Sequence, residues 1–165
     1  MPILDDRHFE FFSHSPDQTR RVGIHLGAFL KIGDVICLEG NLGSGKTTLA
    51  QGIAQGWGAL DPASSPTYII VNEYRRAGEQ RLFHMDTYRL SDAIEADFLD
   101  FDRMLEQGPI VIEWPERIRT ILPEETLWIH LTHTGIEHRA MMFEPTGRRY
   151  IKIVDQLRRK LYGDY

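Results

Sequence analysis

The sequence predicts a mixed α/β domain whose sheet carries helices on both faces, and three observations support that. Segments of helical and strand periodicity alternate along the chain in the order αβαββαβ(α)ββα. Two short apolar runs, Val35-Ile36-Cys37-Leu38 and Ile110-Val111-Ile112, have the unbroken hydrophobicity of strands covered on both sides. A glycine-rich loop stands directly between the first run and a helical pattern.

Each element has its own local reason. Over 17–30, Val22, Leu26, Phe29 and Leu30 recur at helical spacing, with Ser15 placed as N-cap and Pro16 in the first turn. Gly33-Asp34 then turns the chain into the 35–38 strand. Past the glycine-rich loop, Leu49, Ala50, Ile53, Ala54 and Trp57 predict a helix over 46–58, with Gly56 and Gly58 marking its end. The 60–66 stretch is small and polar with two prolines, the composition of a loop. The β-rich runs 68–75 and 81–88 flank Arg76-Ala77-Gly78-Glu79-Gln80 and predict an antiparallel hairpin. Over 91–105, Ile94, Phe98, Phe101 and Leu105 form one helical stripe, capped by Ser91 or Asp92 and broken by Gly108-Pro109. After the 110–112 strand, 127–131 and 139–143 read as later strands. A final amphipathic helix sets Ile151, Val154, Leu157 and Leu161 among Arg148, Arg149, Lys152, Arg158, Arg159 and Lys160, cations read as a solvated face rather than an RNA surface.

With 165 residues, the chain is expected to form one domain over 1–165, with a helical extension from about 147. Its 42% hydrophobic and 26% charged residues exclude a disordered or fibrous chain. No apolar run approaches the ~20 residues that cross a bilayer, so no membrane role is expected. The start lacks the basic patch and apolar run of a secretory signal, and Cys37 is the single cysteine, so the expected location is cytoplasmic. A net charge of −5 opposes generic nucleic-acid binding.

The segment Gly40-Asn41-Leu42-Gly43-Ser44-Gly45-Lys46-Thr47 matches G-x-x-x-x-G-K-[ST] at every fixed position, in a strand-to-helix context. Glycines in such a loop let consecutive N–H groups turn inward around a phosphate, and the helix that follows points its positive end at the same anion. Lys46 is placed to reach the β- and γ-phosphates, and the Thr47 hydroxyl to bind Mg2+. Magnesium also wants a carboxylate at a neighbouring strand end. Glu113, after Ile110-Val111-Ile112, fits best, and Asp86, after Leu82-Phe83-His84-Met85, is the second candidate. Trp114-Pro115 either closes over the nucleotide or forms core and turn. Neither the N-K-x-D nor the D-x-x-G string of GTPases occurs, which favours adenine, and the 86–108 stretch holds only Arg89 and Arg103 where small kinases carry an arginine-rich lid. His130, His133 and His138 lack the spacing of a metal site and read as loop or surface histidines.

These motifs resemble the TsaE family, also called YjeE, small P-loop ATPases of bacterial tRNA threonylcarbamoyladenosine synthesis. The resemblance runs from Ser15, Thr19 and Leu26-Gly27 through Leu38 to Thr48 and Ser65-Pro66-Thr67-Tyr68. It continues in His84-Met85-Asp86-Thr87-Tyr88-Arg89-Leu90 and Val111-Ile112-Glu113-Trp114-Pro115-Glu116-Arg117. It implies a P-loop NTPase-like fold in which Thr47 and Glu113 serve magnesium, Asp86 and Trp114 matter for ATPase function, and 65–68 is a switch-like loop beside the γ-phosphate. It also implies the partners TsaD and TsaB, which transfer threonylcarbamoyl to the adenosine next to the anticodon while this component hydrolyses ATP. The chain departs from the family at Asp100, where a glycine is frequent; it matches loosely after Gly135, where His138 or Arg139 would touch nucleotide; and the helix after Gly147 has no family role.

The expected ligands are therefore ATP and Mg2+, with Asn41, Leu42, Gly43, Ser44, Gly45, Lys46, Thr47, Thr48 and Trp114 on the nucleotide, Thr47 and Glu113 on the metal, and Asp86, Glu113 and Thr67 in catalysis. The 63–68 stretch has no glutamine or arginine finger, so turnover is expected to be slow until a partner completes the site, unless Arg75, Arg89, Arg117 or Arg139 acts in cis. Two other readings are a small-molecule kinase with Asp86 as base and a nucleotide-gated binding module that needs no hydrolysis. Direct tRNA contact is left open at this level.

Overall fold

The computed structural model describes residues 8–60, 71–88, 90 and 100–163. It contains β1 (Phe9–Ser13), α1 (Pro16–Gly27), β2 (Val35–Glu39), α2 (Lys46–Trp57), β3 (Val71–Arg75) and β4 (Arg81–Asp86). These are followed by α3 (Phe101–Gln107), β5 (Ile110–Glu113), a 3-10 helix (Pro115–Ile121), β6 (Leu127–Gly135), β7 (His138–Pro145) and α4 (Arg148–Tyr162). One seven-stranded sheet runs in the order β1-β7-β6-β2-β5-β4-β3. β2 lies between β5 and β6 and is parallel to both, β4 is parallel to β5, and the antiparallel strands sit at the two ends.

Strand alternation sorts the apolar side chains into two layers. Ile36 and Leu38 of β2 join α1, α2 and α4 in one core, while Val35 and Cys37 join Phe101, Met104 and Ile118 in the other. This α/β sandwich of helices on both faces is the predicted class. It explains why 35–38 and 110–112 are apolar at every position.

α1 starts where the sequence places its cap. The Ser15 hydroxyl accepts from Gln18 N at 3.1 Å, and Pro16 occupies the first turn. α1 and α2 then pack backbone to backbone. A Cβ on Gly56 would fall 1.9 Å from Ile24 O, and one on Gly27 would fall 2.1 Å from Ile53 O. Gly56 therefore lies inside α2 as a contact glycine and does not end it; Gly58, at φ 101, does. Gly56→Ala gains about 1 kcal/mol of helix propensity but meets rigid backbone, which costs more. The expected result is a fall in Tm of several °C by calorimetry, and a rise in Tm would contradict the close approach.

Two elements differ from expectation. β1, which the periodicity did not reveal, pairs antiparallel with β7 from Phe9↔Phe143 to Ser13↔Arg139. Phe9-Glu10-Phe11-Phe12 has no clean alternation, and its partner lies more than 120 residues away. The 91–105 pattern is not one continuous helix either, because Asp100 stands at φ 57 and caps a helix that starts at Phe101. Residues 91–99, with the proposed caps Ser91 and Asp92, lie outside the described residues.

α4 packs as part of the core, with Ile153 and Leu157 fully buried. Its first turn is tied to the loop before β2. Arg149 Nη2 and Nε donate to Asp34 Oδ2 and Oδ1 at 2.8 and 3.2 Å, Nη2 also reaches Phe29 O at 2.7 Å, and Val35 N donates to the Tyr150 hydroxyl at 2.8 Å. No helix among the described residues is long and apolar enough to cross a membrane.

Candidate functional site

The site grows from the carboxyl end of β2. Gly40 approaches the neighbouring chain so closely that a Cβ would stand 2.6 Å from both Leu131 O and Ser44 Oγ. Gly43 and Gly45 adopt φ 76 and 101, in the left-handed region that favours glycine. α2 opens at Lys46 with no side-chain cap and no acid in its first turn, so its N–H groups face the loop without a side-chain acceptor. The Ser44 hydroxyl is buried there with no hydrogen-bond partner. Asn41 and Leu42 stand on the exposed outer side of the loop, and Thr48 lies half-buried in the first turn of α2.

Lys46 folds back over this hollow. Its ammonium donates to Gly40 O and to Asn41 O, the latter at 3.0 Å, and lies 4.1 Å from the centre of the Trp114 ring. Burial lowers the pKa of Lys46, and the carboxylates of Glu113, Glu116, Asp86 and Glu39 pull it back upward. Among the described residues the cation is thus held by two carbonyls, the face of the Trp114 ring and more distant acids, an arrangement that phosphate oxygens would improve.

Parallel register brings the two candidate acids side by side, since Asp86 pairs with Glu113 across β4 and β5. Their environments then separate them. Glu113 is buried; Thr47 Oγ1 donates to its Oε1 at 3.1 Å, and His84 Nε2 is 2.6 Å from its Oε2. Asp86 is partly exposed and accepts from Tyr88 N at 3.0 Å. Burial raises the pKa of Asp86; the Tyr88 bond lowers it, Glu113 raises it further, and His84 and Lys46 lower it.

Trp114 closes the site from β5. It stands at φ 62, its N–H donates to Leu38 O at 3.3 Å, and its ring lies 4.9 Å from the Tyr88 ring. Thr87 secures the turn, with its N–H and hydroxyl both donating to Glu113 O, at 3.1 and 3.0 Å. On the other side, the β6–β7 hairpin reaches over the loop, and Arg139 Nη2 donates to Gly43 O at 3.1 Å.

The structure thus brings Gly43, Ser44, Gly45, Lys46, Thr47, Glu113, Asp86 and Trp114 into one place. Thr67 and the 65–68 stretch lie outside the described residues, as does Arg89. The residue that sequence reasoning did not single out is His84. Strand alternation was its available signal, because His84 and Asp86 point to the same face of β4 as Glu113 does on β5. His130 is tied to Glu39 and, at 2.8 Å, to Glu144. No cluster of three or more His, Cys, Asp or Glu able to hold a metal exists among the described residues. Magnesium would fit the Thr47 and Glu113 oxygens, which are hard donors already in contact, with phosphate and water completing its shell.

A glycine loop between a central parallel strand and an uncapped helix, with acidic strand ends beside it, defines a P-loop NTPase-like α/β protein. A family profile described as Threonylcarbamoyl adenosine biosynthesis protein TsaE matches residues 13–141. The chain belongs to the TsaE family. A Bacillus subtilis (strain 168) relative, named tRNA threonylcarbamoyladenosine biosynthesis protein TsaE, is 38% identical over 146 residues, 88% of this chain and 90% of that protein. A relative of the same name from Synechocystis is 38% identical over 120 residues, 70% of this chain and 75% of that protein. The crystal structure of Bacillus subtilis YdiB superposes with a TM-score of 0.77 at 32% identity, covering 93% of this chain and 95% of that one.

Proposed function

We propose that this chain is the ATP-hydrolysing component of tRNA threonylcarbamoyladenosine synthesis and that its turnover depends on TsaD and TsaB partners. The observation that supports this most is the convergence of Lys46, Thr47 and Glu113 at the uncapped start of α2. Backbone N–H groups of the loop and of α2 bind the phosphates, and Lys46 exchanges the Gly40 and Asn41 carbonyls for phosphate oxygens. Thr47 and Glu113 would hold magnesium, which would supply positive charge beside the phosphates. His84 keeps the Glu113 carboxylate turned toward Thr47. Asp86, with its raised pKa, orients the attacking water and accepts its proton, and Thr67 contributes a hydroxyl to that water. A small cleft of about 30 Å3, lined by Pro16, Thr19, Gly45, Thr48, Glu137 and Arg139, opens beside the loop.

Lys46 is the cation seated in the loop among the described residues, while Arg139 donates to Gly43 O from outside it, Arg117 lies over the Tyr88 ring and Arg89 lies outside the described residues. A transition-state cation supplied by another protein is worth ~10³ to 10⁵ in rate. The purified chain is therefore expected to hydrolyse ATP well below the ~1 to 100 s⁻¹ of typical kinases, and to speed up when TsaB and TsaD are added. Hydrolysis in that range by the isolated chain, with no gain from those partners, would overturn the partner-dependent mechanism.

A further inference from the structure

α4 holds six cations and one acid, Asp155, so fifteen residues carry a net +5 in a chain whose total is −5. Part of this charge is used within the fold. Arg149 is held by Asp34, and Arg158 and Arg159 share Asp155 at 2.6 and 3.2 Å. Arg148, Lys152 and Lys160 are exposed and make no ion pair among the described residues.

These cations border a groove. Between α4 and β1 lies an open cleft of about 380 Å3, lined by the exposed Arg148, Lys152 and Arg158, by Asp155, which pairs with Arg158, and by Phe9, Ile151 and Val154. Arg148 and Lys152 stand one helical turn apart on the same side of α4. On the β1 side, His8 lines the cleft and its Nδ1 is buried with no hydrogen-bond partner. Outside the cleft lining, at the end of α4, the half-exposed Tyr162 ring lies 5.7 Å from the buried Phe9 ring and from Phe11. No residue of the cleft belongs to the nucleotide site, and α4 lies beyond the 13–141 span matched by the family profile.

We propose that this groove binds the phosphodiester backbone of tRNA, with Arg148 and Lys152 on neighbouring phosphates and Tyr162 beside a base. A cluster of exposed cations beside an exposed aromatic ring is the chemistry that tracks a nucleic-acid strand. An acidic protein surface would use the charges but would leave the exposed Tyr162 ring unexplained. The proposal rests on the reading of this chain as a component of tRNA modification, and it supplies the local patch that an acidic chain needs to approach RNA.

The test is fluorescence anisotropy of a dye-labelled tRNA with the full chain, from about 50 to about 200 mM salt. Wild-type protein should bind with a steep salt dependence. The Arg148→Gln/Lys152→Gln double variant should bind ~10-fold more weakly, and its log–log salt slope should be smaller in magnitude by about 1.4 to 1.8, since two phosphate contacts are lost. Both side chains are exposed, so the far-UV spectrum and the ATP affinity should stay those of the wild type. Equal tRNA affinity and slope in the two proteins, no tRNA binding by the wild type, or binding of polyglutamate in place of tRNA would each overturn the groove. ATP affinity measured on the same samples separates the two ideas, because its absence counts against the nucleotide site whatever the tRNA does.

Discussion

Lys46→Ala is expected to weaken ATP binding by ~100-fold or more in calorimetry, with little change in the fold. Among the described residues the ammonium is the one side-chain cation held inside the loop, within reach of Gly40 O, Asn41 O and the Trp114 ring. Charge-assisted bonds to phosphate lie at the strong end of the hydrogen-bond scale, and burial, which already lowers the pKa of Lys46, strengthens them. Removing the side chain leaves the Asn41 carbonyl on an exposed residue where water replaces the bond, so the cost to stability is about 1 kcal/mol. Calorimetry that finds unchanged ATP affinity would refute the nucleotide site.

Separation of the two acids is the second large effect. Glu113→Gln keeps the shape of the buried side chain but removes the charge facing Thr47, and it should cut the gain in ATP affinity that magnesium provides by ~10- to 100-fold. Asp86→Asn keeps the acceptor for Tyr88 N, so binding should persist while hydrolysis falls by ~10²-fold or more. Glutamine is the better probe at position 113, because alanine would also leave His84 Nε2 and the Thr47 hydroxyl without their partner, at about 1 to 3 kcal/mol. Magnesium titrations of ATP binding, paired with single-turnover hydrolysis, read both effects. The reverse pattern, with Asp86→Asn losing the magnesium dependence and Glu113→Gln keeping it, would exchange the two roles.

Features set by neighbours in the chain were legible in the sequence. The glycine loop is contiguous, and its glycines, lysine and threonine work through backbone angles and a helix that starts at once, so 40–47 alone announces it. The same holds for the Ser15 cap, the Gly58 stop and the doubly apolar strands, whose composition records burial on both faces. Spacing left Asp86 and Glu113 as two candidates for one metal. Only the parallel register of β4 and β5, and the contact of Thr47 with Glu113 across 66 residues, distinguished their surroundings. His84 reaches Glu113 from a neighbouring strand, β1 pairs with a strand at the far end of the chain, and Arg149 meets Asp34 at a separation of 115 residues. Asp100 takes a left-handed conformation that a helical stripe does not foretell, and Gly56 proved to be a contact rather than a terminus because α1 lies against it. In each case the partner is remote in sequence, and the geometry exists only once the sheet has brought the two segments together.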